Sequence, residues 1–170
     1  NIGIGGSGDV YVGTSKEATV QIGGAGDVDL GDVGGTLAIK IGGSGDIDAE
    51  DAGAVMLKIA GAGDVQVGDV KGGIDVTISG SGDFEAASMN GPLDISVNGS
   101  GDVDIGKGKS SSTEISINGS GDVSFDGVAN NPVVRVSGSG EVDIEDYTGQ
   151  VKVSGDTEDV RIGDLTFEDR

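Results

Sequence analysis

Thirty carboxylates against ten cationic side chains, with no histidine and no cysteine, set the chemistry open to this chain of 170 residues. The carboxylates are ordered. Asp9, Asp27, Asp46, Asp64, Asp83, Asp102 and Asp122, and finally Glu141, each close a turn of the form Gly-Ser/Ala-Gly-Asp that leads into Val, Ile or Phe. Two chemistries suit such a pattern. Oxygen ligands stacked along an axis could hold calcium. Carboxylates two apart, Asp27 with Asp29 or Asp46 with Asp48, could serve as acid and base in polysaccharide cleavage. The second reading is the weaker, because nearly every copy of the repeat carries the pair, whereas an active site is a local departure from a repeat. No catalytic residue and no cofactor-binding residue is assigned.

Calcium is weighed against a purely structural reading of the turn. The sequence is similar to the calcium-binding repeats of secreted toxins, in which Gly-Gly-x-Gly-x-Asp precedes an apolar residue. It departs from them twice: Asp follows the second Gly directly, and the turn comes once per copy instead of on both sides of a coil. In the structural reading, Gly supplies positive φ at a tight corner and the carboxylate accepts hydrogen bonds from turn N–H groups. Ala25 and Ala62 replace Ser in the column of Ser7, Ser44, Ser81, Ser100, Ser120 and Ser139, so small size matters there and the hydroxyl does not. The structural reading is preferred, no metal ligand is assigned, and calcium stands as the alternative.

The absence of His and Cys removes imidazole bases, thiolate nucleophiles, disulfides and ordinary zinc sites. A formal net charge of -20 argues against nucleic acid or an anionic membrane as partner. No Gly-Lys-Ser/Thr follows the Gly-rich turns, so a phosphate cradle is not indicated. Phe84 and Phe125 fall in inward columns, and Tyr11 lies far in coil order from Tyr147, which leaves no obvious sugar-stacking cleft. Outward columns are too mixed for an ice-binding face. No apolar run reaches the roughly 18 residues of a membrane span. A chain that opens at Asn1, already within a strand-like stretch, reads as processed or truncated, with a removed signal peptide as one origin.

The elements that must position the turns follow from the same spacing. A period of about 19 residues is the mark of a solenoid, in which each coil buries its apolar face only by stacking on its neighbours. After each turn the apolar residues alternate, as in Val28 and Leu30, Ile47 and Ala49, or Val103 and Ile105, with polar residues such as Asp29, Asp48 and Asp104 between them. A second strand precedes each turn, with inward triads such as Leu37-Ile39-Ile41 and Ile74-Val76-Ile78 and outward Lys40, Lys58, Thr77, Ser96, Ser116 and Arg135. Val33, Ala52, Val70, Met89, Val128 and Tyr147 form a sixth apolar column, read as a short third side. The expected fold is all-β: a single-stranded parallel β-helix of about nine coils, one domain spanning 1–170, and a rod of about 43 Å at ~4.8 Å per coil.

Irregularities mark where a local function would sit. Pro92 and Pro132 both fall at the start of the second strand, where a missing N–H costs least. The corner from Gly106 to Ser112 makes its copy the longest and is the best candidate for a recognition loop, although tolerance of insertion in a surface loop explains it more simply. The last copy is degenerate. Asp159 to Leu165 matches Asp27 to Val33 position for position, and the charged tail Glu168-Asp169-Arg170 is read as blunting the open end.

The repeated Val/Ile-x-Gly-Ser-Gly-Asp-Val-x-Val/Ile unit, including Ser116 to Val123, resembles the bacterial family called "putative autotransporter adhesin, head GIN domain" over essentially the whole chain. The resemblance implies a right-handed parallel β-helix exported by a signal peptide or lipoprotein signal and held outside the cytoplasmic membrane, in the periplasm, on the outer surface or secreted. No catalytic residue is implied, and the adhesin label rests on fold analogy. The expected role is thus a non-enzymatic cell-envelope or cell-surface module, structural or adhesive, whose partner is a surface glycan or protein. The calcium-binding secreted repeat module and the polysaccharide-active β-helix enzyme are its alternatives.

Overall fold

The computed structural model describes residues 1–167. Among these the chain is all-β, with seventeen strands and no helix. It begins with β1 (Ile2–Ile4), β2 (Val10–Val12), β3 (Ala18–Ile22), β4 (Val28–Leu30), β5 (Val33–Ile41) and β6 (Ile47–Ala49). Next come β7 (Ala52–Ile59), β8 (Val65–Val70), β9 (Ile74–Ile78), β10 (Phe84–Val97) and β11 (Val103–Gly119). The last are β12 (Val123–Asn130), β13 (Val133–Gly138), β14 (Val142–Thr148), β15 (Lys152–Gly155), β16 (Val160–Ile162) and β17 (Leu165–Thr166). Every pairing but the last is parallel and joins residues one coil apart, which makes a β-solenoid of about 8 turns with a repeat of ~19 residues.

Each turn has three sides. The first side stacks Val10, Val28, Ile47, Val65, Phe84, Val103, Val123, Val142 and Val160 in register. The second stacks Ile2, Val20, Ile39, Leu57, Val76, Ile95, Ile115, Val134 and Val153. Inward residues of both sides form one aliphatic core, in which Val20, Leu37, Ile41, Ile59, Ile78 and Ile95 are wholly buried. At about 1.5–3 kcal/mol for each buried Val, Leu or Ile, this core is the main support of the fold. Period-two alternation produces it: β-branched residues suit a pleated strand, and every second side chain points into the bore.

The short third side runs through Val33, Ala52, Val70 and Met89, each buried and paired in register. Beyond Met89 the column departs from the spacing read in the sequence. An irregularity between Phe125 and Val128 shifts the register, so that Ala129 is the buried residue and Val128 is only half-buried. Tyr147 pairs with Ala129 and packs half-buried against the core.

The glycines of the repeated turn owe their place to stacking, which corrects the expectation of positive φ. Positive φ occurs among described glycines at Gly108, Gly138, Gly149, Gly155 and Gly163, and of these only Gly138 belongs to the repeated motif. A Cβ on Gly43, Gly61, Gly80 or Gly99 would overlap the carbonyl of the corresponding glycine in the coil below. The second glycine of the motif is constrained in the same way, as at Gly45, Gly63 and Gly82. Backbones at the corner approach so closely that no side chain fits between them.

The final coil ends differently from its sequence match. Leu165 does not take the place that Val33 holds in the third side. At Gly163, with φ 56, the chain reverses, and β17 pairs antiparallel with β16 through Arg161 with Thr166 and Ile162 with Leu165. This hairpin breaks the parallel ladder at the last coil, as edge protection requires. The tail Glu168-Asp169-Arg170, to which the sequence assigned that task, lies outside the described residues.

Candidate functional site

The acidic turns are the most regular polar feature of the molecule, and their carboxylates are engaged. Asp27 Oδ1 accepts from Asp46 N at 2.9 Å, Asp46 Oδ1 from Asp64 N at 2.9 Å, and Asp64 Oδ1 from Asp83 N at 2.9 Å. The run continues through Asp83 to Asp102 at 2.8 Å, Asp102 to Asp122 at 2.8 Å, and Asp122 to Glu141 at 2.7 Å. Strand geometry explains the ladder. The C=O of each turn Asp points to the preceding coil and accepts there, as Asp46 O does from Val28 N at 2.9 Å. Its N–H points the same way, where the corner offers no carbonyl, and the carboxylate of the coil below supplies the acceptor. The carboxylate thus accepts from turn N–H groups as the sequence suggested, with the donor in the next coil.

Glu141 fits this account. It donates its N–H to Asp122, while the turn that follows, with its extra residue, has a different geometry: Asp156 Oδ2 accepts from Gly138 N at 3.0 Å. Among the described residues Glu141 accepts no bond from that turn, so the longer side chain is tolerated where the ladder stops. Asp29 and Asp48, the second members of the acid pairs, stand outward in register on the first side. Their partners Asp27 and Asp46 belong to the ladder, and among the described residues no three carboxylates converge as a metal cluster.

The corner from Gly106 to Ser112 is no loop. It lies within the unbroken strand β11, paired with β10 from Ser88–Lys107 to Gly91–Ser110, and the register slips at Pro92, which pairs with Ser112. Ser111 is the added residue. Lys107, Lys109, Ser111 and Ser112 are exposed, but Ser110 and Thr113 are buried and their hydroxyls bond to each other. Ser110 Oγ also accepts from Asn130 N at 3.1 Å, and Ser111 O from Asn130 Nδ2 at 2.9 Å. The insertion is absorbed by two paired hydroxyls where other coils place an aliphatic residue. Pro92 likewise sits inside β10, at that irregularity, whereas Pro132 falls between β12 and β13 as read from the sequence.

The outward positions of the second side form two in-register columns: that of Lys40, Lys58, Thr77 and Ser96 lies where the sequence placed it, whereas that of Ala38, Met56, Asp75, Asp94 and Glu114 was missed in the sequence. Met56 and Tyr11 are the exposed large hydrophobics, and Met56 lines a shallow depression of about 380 Å³ with Lys40, Lys58 and Thr77. Met56 sits between Ala38 and Asp75 in its column, a relation visible only once the register is known.

Asp75, Asp94 and Glu114 occupy three successive coils of one column. Partial burial lifts the Asp94 carboxyl above the ordinary carboxylate range, and the neighbouring charges of Asp75 and Glu114 raise it further. A group whose folded pKa is raised contributes stability that is present at low pH and lost as pH rises through the raised value. At neutral pH and in dilute solution, Asp94→Asn is therefore expected to melt slightly above the native chain. The gap closes as pH falls below about 4, where the native carboxyl is neutral too. Thermal melts of both proteins across that pH range check this, and an Asn variant less stable at neutral pH contradicts it.

A family described as "Putative auto-transporter adhesin, head GIN domain" matches the chain twice, over residues 1–88 and 85–158. The chain belongs to this family. No curated protein and no solved structure matches it.

Proposed function

We propose that this head GIN domain is a non-enzymatic module of the bacterial cell envelope or surface, structural or adhesive, held outside the cytoplasmic membrane. The observation that carries the reading is the family match over residues 1–158, borne on a solenoid whose outward side chains repeat in register. Such a body suits display: the parallel ladder and buried core make it stiff, and its long sides expose rows of side chains to a partner. A surface glycan or protein is the partner class. We also read 1–170 as one domain. The two matched segments meet near residue 85, yet β10 runs from Phe84 to Val97 through that boundary and pairs with strands on both sides of it.

Two measurements test the role. Protease treatment of cells whose outer layers are opened but whose cytoplasmic membrane is intact should degrade the protein while cytoplasmic markers survive, and protection alongside those markers would overturn the location. Incubation with acidic polysaccharides should release no new chain ends. Their release would return the acid pairs Asp27/Asp29 and Asp46/Asp48 to consideration.

The calcium alternative has its own check. Each ladder carboxylate accepts a backbone N–H at Oδ1, which leaves one oxygen for solvent or cations. Melting curves with excess calcium and with chelator are expected to coincide. A ligand at 100 times its dissociation constant would add about 2.7 kcal/mol, a shift too large to overlook. Such a shift would make the turns a calcium ladder.

A further inference from the structure

Two stretches of the chain carry the same local chemistry in different surroundings. Ser96-Val97-Asn98-Gly99-Ser100-Gly101-Asp102-Val103 and Ser116-Ile117-Asn118-Gly119-Ser120-Gly121-Asp122-Val123 differ by a single methylene, at Val97 and Ile117. Each places an asparagine directly before a glycine. That dipeptide permits an internal reaction, because no Cβ on the glycine hinders the approach of its backbone nitrogen to the carboxamide carbon of the asparagine. Both asparagines are exposed, at the corner leading into the acidic turn, in the column that Gly42, Ala60 and Ser79 occupy in earlier coils. What separates them is the N–H of the glycine that follows.

Gly119 lies at the end of β11, where the ladder continues through Asn118 with Ser137 and Gly119 with Gly138. Gly119 O accepts from Ser139 N at 3.0 Å, and in a parallel ladder a residue that accepts in this way also donates to the same strand, here to Ser137 O. Gly119 N–H is thereby committed. Gly99 has no such partner. The register of β10 with its neighbours ends at Val97, paired with Ile78 and Ile117. Gly99 O still accepts from Ser120 N at 3.0 Å, but among the described residues Gly99 N–H makes no hydrogen bond. The Asn98 carboxamide is held loosely, by a bond from Nδ2 to Ser96 Oγ at 3.3 Å. A third such pair, Asn90 with Gly91, lies inside β10, where the ladder with β11 fixes both residues.

We propose that Asn98 is a site of spontaneous covalent modification, deamidating through a succinimide, and that the fold protects Asn118 from the same reaction. Hydroxide takes the Gly99 amide proton, and the nitrogen adds to Asn98 Cγ. A C–N bond forms as the bond to Nδ2 breaks, and Nδ2 leaves as ammonia with a proton from water. Water then opens the five-membered imide. Attack at the side-chain carbonyl carbon leaves an aspartate, and attack at the main-chain carbonyl carbon leaves an isoaspartate, in which the backbone runs through the former side chain. One carboxamide and one water thus give one carboxylate and ammonium, with no oxidant or reductant. The isoaspartyl product lengthens the backbone beside Gly99, which stacks so closely on Gly80 that even a Cβ would overlap its carbonyl. The bonds from Ser100 N to Gly80 O and from Ser120 N to Gly99 O, both 3.0 Å, join the coils there, so modification loosens one corner in the middle of the solenoid.

Incubation of the folded chain in mildly alkaline buffer, followed by proteolysis and mass spectrometry of the fragments, tests the assignment. Asn98 should convert at least about fivefold faster than Asn118, the ratio set by one hydrogen bond of about 1 kcal/mol net. In denaturant the two rates should become equal, because their flanks match. Asn98→Gln should abolish the fast conversion and leave that of Asn118 unchanged, with circular dichroism verifying that the variant keeps its strands. Equal rates in the folded chain, a faster Asn118, no conversion at Asn98, or a difference that persists in denaturant would each overturn the proposal.

Discussion

Gly61→Ala is expected to lose about 3 kcal/mol or more of stability and to melt about 6–12 °C below the native chain. The added Cβ would overlap the carbonyl of Gly43, and every atom it meets is backbone. No rotamer change can relieve that overlap. Relief requires the coils to part at the corner, where Ala62 N bonds to Gly43 O at 2.9 Å and Ser81 N to Gly61 O at 3.0 Å. Gly6→Ala is the matched control: it holds the same motif position in the first coil, where a Cβ meets nothing within 4 Å. Thermal melts of the two variants side by side decide the matter. Equal effects would mean that the glycines act through conformational freedom, as the sequence suggests, and not through stacking.

The contrast between these two glycines shows where sequence reading succeeds and where it stops. The inward columns are legible because strand periodicity is strictly two: Val28, Leu30, Leu37, Ile39 and Ile41 are apolar in sequence and buried in the fold. The stacking order is legible because the turns recur at nearly equal intervals. The reason for the glycines is not, since positive φ and close backbone approach leave the same mark in a sequence. Register slips are hidden as well. One extra residue near Phe125 moves Ala129 inward in place of Val128, and the inserted Ser111 hides inside a strand because Ser110 and Thr113 satisfy each other's hydroxyls. Polar residues in a Gly-rich stretch read as a loop when their partner is unknown.

The outward chemistry of the second side is only half legible in the chain. Lys40 and Lys58 align as one outward column of the repeat, but Met56 and Asp75 look like ordinary solvated positions in their own copies. Only the observed register shows that these two adjoin and that Asp75, Asp94 and Glu114 form a block. A solenoid distributes its recognition chemistry across coils, so the unit of function is a column of side chains and not a motif along the chain. For the same reason the carboxylate pairs that invite a catalytic reading are divided in role, with Asp27 and Asp46 engaged in the corner ladder and Asp29 and Asp48 facing outward.

The ladder itself supports the second large prediction. Replacing Asp27, Asp46, Asp64, Asp83, Asp102 and Asp122 together by Ala removes six acceptors, each worth about 1 kcal/mol. The change also removes repulsion between stacked charges, including those of Asp9 with Asp27 and of Asp122 with Glu141, about 0.9 kcal/mol per neighbouring pair in water and roughly half of that in physiological salt, for a recovery of about 3 kcal/mol. A net loss of about 3 kcal/mol remains, a large part of the 5–15 kcal/mol that ordinarily holds a domain folded, and the melting temperature should fall by about 6–12 °C. The matching sixfold Asn variant keeps an acceptor at every rung. It exchanges a charge-assisted bond for a neutral one while shedding the same repulsion, so it should melt within a few degrees of native. Carboxamide and carboxylate differ little in shape but greatly in affinity for a cation. If the Asn variant were as unstable as the Ala variant, the charge and not the hydrogen bond would be what the turns require, and a bound cation would be the reason. If Asn holds and Ala fails, the acidic turn is a corner joint, in which each coil provides the acceptor that the next coil's backbone lacks.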